Sequence, residues 1–301
     1  MSVEHPIIAV TGSSGAGTST ARLVFQRIFD GLGLKAAYVE GDSFHAYDRD
    51  QMRALVEKAR IRGENFSHFG PGANLLDKLE RLFRDYGARG TGMVRRYLHT
   101  EAEAEEAGLT VGTFTPWAKL PADTDVLFYE GLHGGAVTSE VNVARHVDLL
   151  IGVTPIVNLE WIQKIKRDRD ERGKAVEDVT QTILRRLPDY VTYITPQFSR
   201  TDVNFQRVPL VDTSNPFVER DIPSNEESLV VISFRLNSRV EADIGKLVDG
   251  IPNAFLSRST TLVVPGTEMG TAMEATLRPA VKRLAKARQK ALKEKEQKDK
   301  N

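Results

Sequence analysis

The chain has no cysteine. Disulfides, thiolate-bound metals, a cysteine nucleophile and direct thiol redox switching are therefore excluded. It also lacks an HExxH or Cys/His spacing for a protein-bound zinc. No stretch approaches the roughly 20 apolar residues of a membrane span, and the opening MSVEHPIIAVTG has no basic n-region, long apolar core or cleavage site. No membrane contact is expected, and a cytoplasmic location is. There is no internal repeat and no Pro/Gly/Ser linker, so residues 1–290 are expected to form a single domain. Net charge is zero, yet residues 282–301 hold 9 Lys/Arg against 3 Asp/Glu, which leaves the remainder acidic. That basic end carries no interleaved aromatics for base stacking. It reads as a solvated, fraying helix end, with 291–301 a disordered tail and no nucleic-acid partner expected.

Strand-like and helix-like segments alternate along the chain. Ile7-Ile8-Ala9-Val10 is a short apolar run, followed by the Gly/Ser stretch TGSSGAGTST. In 18–29, Ala21, Val24, Phe25, Ile28 and Phe29 recur at helical spacing. Strands are expected at 35–40, 125–129, 146–153, 229–234 and 260–264, with short ones near 95–99 and 112–115. Helices are expected at 49–62, 74–86, between an N-cap at Asn158 and a stop at Gly173, at 176–187, and from 271 onward. This pattern points to an α/β fold with a mostly parallel sheet flanked by helices.

Strand, glycine-rich loop and helix in that order are the context of a phosphate-binding P-loop. The loop runs through Gly12, Ser13, Ser14, Gly15, Ala16, Gly17, Thr18, Ser19 and Thr20. Its glycines let backbone N–H groups turn inward around phosphates, and the helix N-terminus faces the same anion. Ser19 stands where a hydroxyl ligates Mg²⁺. Thr18 stands where the usual lysine would be, so the positive charge for a transferring phosphoryl group must come from elsewhere. Lys164, Lys166, Arg167, Arg169, Arg172 and Lys174 form the available reservoir. Lys164, Arg167/Asp168 and Arg172 fall about one helical turn apart and are expected to close over ATP as a lid.

Asp42 follows the second expected strand in VEGDSFH, beyond its carboxyl end, where open α/β sheets bind ligands. A kinase acting on an alcohol needs a base there, and Asp42 is the candidate. Glu130 ends DVLFYE and is a candidate for a Mg²⁺-facing acid; Asp168 is a second, and spacing does not order the two. His45, Arg49 and Arg53 follow Asp42 at helical spacing and suit a substrate phosphate, with Tyr97 and His99 as further contacts.

These motifs, together with FSHF, LFYEGLHG, NLEWIQKIKRDRDERG, VNFQRVPLVDTSNPF and VVPG, make the chain resemble the prokaryotic phosphoribulokinase family over nearly its whole length. The family's P-loop also lacks the lysine. The resemblance implies an adenylate-kinase-like α/β fold and transfer of a phosphoryl group from Mg²⁺-ATP to D-ribulose 5-phosphate in the Calvin cycle. It implies Asp42 as base, Glu130 and Asp168 as metal or catalytic acids, and His45, Arg49 and Arg53 at the sugar phosphate. Lys164, Arg167 and Arg172 become active-site cations. It further implies a homo-octamer, NADH activation and AMP inhibition. Gly31 and Ser233 stand where NADH-responsive relatives carry arginine, so a small NADH response is expected, with Arg186 and Arg258 left as effector contacts. The rival readings are a uridine-kinase-like nucleoside kinase and a non-catalytic nucleotide-binding regulatory subunit.

Overall fold

Ile7–Gly12 is buried at every position and forms β1, the strand from which the sheet extends on both sides. The structure, a computed structural model, describes residues 3–12, 18–154, 156–170, 173, 175–218 and 221–299, apart from the side chains of Ser19 and Asp299. After β1 come α1 (Thr18–Leu32), β2 (Ala36–Glu40), α2 (Arg49–Ile61), α3 (Leu76–Arg89), β3 (Met93–Val94), α4 (Glu101–Ala107), β4 (Ala118–Lys119), β5 (Val126–Gly131) and β6 (Leu149–Thr154). They are followed by α5 (Val157–Asp170), α6 (Val176–Asp189), α7 (Thr195–Phe198), β7 (Val203–Pro209), β8 (Ser228–Phe234), α8 (Ile244–Gly250), β9 (Phe255–Arg258), β10 (Thr261–Pro265) and α9 (Met269–Asp299).

Eight strands form one sheet in the order β2-β5-β1-β6-β7-β8-β10-β9. The first five are parallel, and β8, β10 and β9 are added antiparallel. β1, β5 and β6 lie inside the sheet with both faces covered, which is why each reads as a nearly unbroken apolar run. Ile8 and Val10 pack on one face with Phe25, Phe29, Phe128 and, from α9, Met273 and Leu277. Ile7 and Ala9 pack on the other with Leu79, Phe83 and Tyr86 of α3. The strand alternation therefore divides one short run between two cores.

Several expectations are revised. Asn158 does not cap α5: the helix starts at Val157, and the Asn158 Nδ2 donates to the carbonyl of Thr213 at 3.0 Å. Residues 95–99 and 112–115 do not form regular strands; they meet through an isolated Tyr97/Phe114 bridge beside the β3–β4 pair. β7 escapes a hydrophobicity reading because only Val203 and Phe205 are buried, while Asn204, Gln206 and Arg207 are polar and half-buried. Helix α9 continues to Asp299, well past the expected start of a disordered tail at 291. It is tied down by Arg288 to Asp125 (2.7 Å) and by Lys295 to Glu4 (2.9 Å). No helix among the described residues is long and apolar enough to cross a membrane.

Candidate functional site

The carboxyl ends of β1, β2, β5 and β6 converge beside the start of α1, because all four strands run parallel. Residues 13–17 of the expected phosphate loop lie outside the described residues. At its entrance, a Cβ on Gly12 would stand 2.6 Å from the Val153 carbonyl oxygen, so only glycine fits there. Thr18 opens α1, and its side chain bonds to the Glu130 carboxylate. Thr20 lies on the same first turn.

Glu130 is pushed above the usual carboxylate range by burial. The Thr18 bond and Arg22 act against this, while Glu40 and Asp42 reinforce it. The strand register sets Glu40 directly beside Glu130. Arg22 bonds Glu40 at 2.6 Å. Three carboxylates thus crowd the ends of two strands, an electrostatic setting that a divalent cation would relieve. No group of three or more His, Cys, Asp or Glu side chains able to hold a metal occurs among the described residues.

The strand ends also touch directly. A Cβ on Gly41 would lie 2.6 Å from the Tyr129 hydroxyl and 2.8 Å from the Gly131 Cα. Gly41→Ala must therefore spread β2 from β5 and carry Asp42 away from Glu130. Overpacking of this kind costs about 1–3 kcal/mol, and a displacement near 1 Å costs ~10²-fold in rate. Calorimetry and steady-state kinetics on the variant are expected to show both losses; unchanged turnover would mean that this contact does not position the acids.

Asp42 sits in a tight 3₁₀ turn, Gly41–Phe44, immediately after β2. Its Oδ1 lies 3.1 Å from His45 Nε2 and its Oδ2 3.7 Å from His99 Nε2. Burial favours the neutral acid, but the His45 hydrogen bond first, then the charges of His45 and His99, outweigh it and hold Asp42 at about 2. Its side chain nevertheless remains 42% exposed, so an incoming hydroxyl has a path to it. Arg95 clamps the turn, donating to the carbonyls of Ser43 (3.0 Å) and His45 (2.5 Å) while lying 3.6 Å over the Phe114 ring.

Four of the chain's six histidines gather here. The His68 ring lies 4.0 Å from that of His45. Burial first, then the charges of His45 and Arg186, lowers His68 to about 3. His133 is lowered by burial to about 4, and its Nε2 donates to the His68 carbonyl at 3.0 Å. Both rings are therefore neutral at physiological pH. Tyr97 packs edge-on to His99 and His45.

Lys164 and Arg167 of α5 turn onto a buried acid, whereas Arg169 is exposed and pairs with Asp170. Asp168 is 1% exposed. Its Oδ2 lies 3.0 Å from Lys164 Nζ and its Oδ1 3.5 Å from Arg167 Nε. Burial lowers Lys164 to about 8, opposed by Asp168 and aided by Arg186 and Arg167. Arg186 on α6 acts on both Lys164 and His68, which links the α5 cations to the histidine cluster. Arg172 lies outside the described residues.

Asp42, His45, Tyr97 and His99 are thus brought together. Arg49 begins α2 and reaches the His99 carbonyl at 3.3 Å. The expected helical face running from His45 through Arg49 to Arg53 is not formed, because His45 precedes α2 and is buried. Arg53 is 76% exposed and pairs with Asp50 instead. His68, Asn74, Arg95 and His133 were not singled out from the sequence; the histidines of FSHF and GLHG were visible, but nothing local marked them as neighbours of Asp42. Gln197 was missed as well. It ties β1 to the 131–135 loop, accepting from the Thr11 hydroxyl (3.1 Å) and the Gly135 N–H (2.9 Å) and donating to the Leu132 carbonyl (2.8 Å).

Residues 7–214 match the model of the phosphoribulokinase / uridine kinase family. The chain is 56% identical over 292 residues to the plasmid-encoded phosphoribulokinase of Cupriavidus necator, covering 97% of this chain and 99% of that protein. It is 57% identical over 284 residues to a probable phosphoribulokinase of Escherichia coli, covering 94% and 98% respectively. Among solved structures it is similar to phosphoribulokinase from Rhodobacter spheroides, with a TM-score of 0.86 and 46% identity over 96% of this chain and all of that one.

Proposed function

The chain belongs to the phosphoribulokinase and uridine kinase family, and from that membership we propose that it is a phosphoribulokinase. It transfers the γ-phosphoryl group of ATP to the C1 hydroxyl of D-ribulose 5-phosphate, giving D-ribulose 1,5-bisphosphate and ADP. The observation that carries the choice of acceptor is the basic and histidine-rich surround of Asp42, formed by His45, His99 and Arg49. A phosphorylated sugar gives those groups an anion to bind, whereas a neutral nucleoside does not. An ATP-dependent kinase of this family works with a divalent metal, and we assign Mg²⁺ to that role.

In the proposed mechanism, the backbone amides of residues 12–20 hold the nucleotide phosphates. Asp42 accepts the proton of the C1 hydroxyl as its oxygen bonds to the γ-phosphorus, and the bond to the β–γ bridging oxygen breaks. Lys164 and Arg167, with Arg172, supply the positive charge that Thr18 cannot. Asp168 orients the first two of these cations through its paired oxygens. Thr18 orients Glu130, which with Ser19 would hold Mg²⁺. When bound there, Mg²⁺ would supply charge neutralisation on the phosphate oxygens. Asp168 is the alternative ligand, but both of its oxygens already face cations. His45, Arg49, Tyr97 and His99 bind the acceptor, and Arg53 meets its phosphate only from the rim.

A Calvin-cycle role in the cytoplasm, assembly as a homo-octamer, AMP inhibition and a small NADH response complete the proposal. A coupled ADP-release assay tests it. Turnover is expected with ribulose 5-phosphate and not with uridine. The reverse preference would make the chain a nucleoside kinase, and ATP binding without turnover on any pentose phosphate would make it a regulatory subunit.

A further inference from the structure

Asn74 lies 32 residues beyond Asp42 in number, and its side chain meets the imidazole that faces Asp42. We infer that Asn74 is a positioning residue that holds His45 as an imidazolium, a standing cation next to Asp42.

The inference begins with the orientation of an amide. Asn74 Nδ2 donates to two carbonyls, those of His68 at 2.8 Å and Gly70 at 2.7 Å. Turned the other way, its oxygen would face both acceptors, so the assignment of the two amide atoms follows from the network. The Asn74 Oδ1 then faces His45 Nδ1 at 3.0 Å. An amide oxygen only accepts, so Nδ1 must carry a hydrogen. On the other side of the ring, Nε2 faces the ionised Asp42 carboxylate at 3.1 Å. That oxygen also only accepts, so Nε2 must carry one too. An imidazole with hydrogens on both nitrogens is the charged form.

Water is poorly placed to substitute for Asn74 at Nδ1, since His45 is 7% exposed and Asn74 8%. The backbone keeps the pair in register. Residues 45 and 74 form a β-bridge, flanked by hydrogen bonds from Leu75 N to the Phe44 carbonyl (2.7 Å) and from Ala46 N to the Ala73 carbonyl (2.8 Å). The other titratable or charged groups around the ring are His68 stacked on it, His133 behind, Tyr97 at its edge, His99 across Asp42, and Arg95 on the His45 carbonyl. His68 and His133 are neutral. Arg95 opposes a second positive charge, so the two acceptors on the ring nitrogens must outweigh it.

The consequence rests on the phosphoribulokinase reading. A charged His45 keeps Asp42 ionised until the acceptor hydroxyl arrives, and it offers the acceptor phosphate a cation that does not fade as pH rises toward 8. Asn74 thereby favours phosphorylated over unphosphorylated acceptors without touching them.

Side-chain ¹⁵N–¹H spectra of the full chain at about pH 8 test this without substrate. Both His45 nitrogens are expected to be of the protonated type in the wild type, and one is expected to become lone-pair type in Asn74→Leu. The KM for ribulose 5-phosphate should rise about tenfold in Asn74→Leu at that pH, with kcat changed less than about threefold and the difference shrinking toward pH 6, as befits loss of one charge-assisted contact. Asn74→Asp keeps an acceptor on Nδ1 but loses the donor to the His68 and Gly70 carbonyls, so it should retain the two-proton signature of His45 while its melting temperature falls. A lone-pair nitrogen on His45 in the wild type overturns the inference, even if no variant folds. So does a folded Asn74→Asp with a lone-pair nitrogen on His45, or a KM change in Asn74→Leu that is independent of pH. Absence of turnover in the wild type would instead overturn the function proposed above, and the spectra would still decide the state of His45.

Discussion

Asp42→Asn is expected to lower kcat by ~10²–10⁴ while leaving the KM for ATP within about threefold. The replacement is unusually clean. An asparagine oxygen can still accept from His45 Nε2, which now lies 3.1 Å from Asp42 Oδ1, so the turn at Gly41–Phe44 need not move. What disappears is the capacity to take a proton. The wild-type carboxylate is held at about 2, with its imidazole neighbours overcoming the effect of burial. It is thus ionised throughout the working pH range, and Asp42 contributes no acid limb to the rate above about pH 4. Steady-state kinetics of both proteins, with melting temperatures to confirm equal folding, decide the matter. A variant retaining more than about a tenth of wild-type kcat would remove Asp42 from the role of base.

Lys164→Met is the second large effect, with a fall of ~10³ in kcat, the scale on which a cation at a transferring phosphoryl group acts. Lys164 has a further signature. Burial holds its free-enzyme value at about 8. The charged form is the competent one, so kcat/KM is full below that value and declines as pH rises through it. The acid side is unaffected, because Lys164 is protonated there. In Lys164→Arg the side chain stays charged to far higher pH, so the alkaline decline should move out of the accessible range even if the absolute rate suffers. Persistence of the same decline near pH 8 would assign it to another group. The melting temperature of Lys164→Met must accompany the kinetics, since the change leaves the buried Asp168 with one fewer cation.

Much of the candidate site was legible without coordinates because it is written in short-range patterns. Asp42 stood out as the proposed base from its place after an apolar strand, Glu130 as a proposed acid from the end of DVLFYE, and Lys164, Arg167 and Asp168 as proposed charges from their spacing on one helix. Helical spacing misled at His45, because the same interval spans a tight turn and a capping box at Asp48 before α2 begins. No residue pattern indicated that β7 pairs with β6 and β8, since only Val203 and Phe205 are buried and Asn204, Gln206 and Arg207 interrupt the apolar run.

Contacts within a few residues of one another follow from helix and strand periodicity, so the alternation of strands and helices, the lysine-free phosphate loop and the list of candidate acids and cations were already set by the order of amino acids. Contacts between distant residues depend on which strands become neighbours, and only the folded chain decided those. The crossing of β5 beside β1 and β2 brought Glu130 to Thr18 and Gly131 against Gly41. The bridge between residues 45 and 74 set an amide behind the imidazole that faces Asp42.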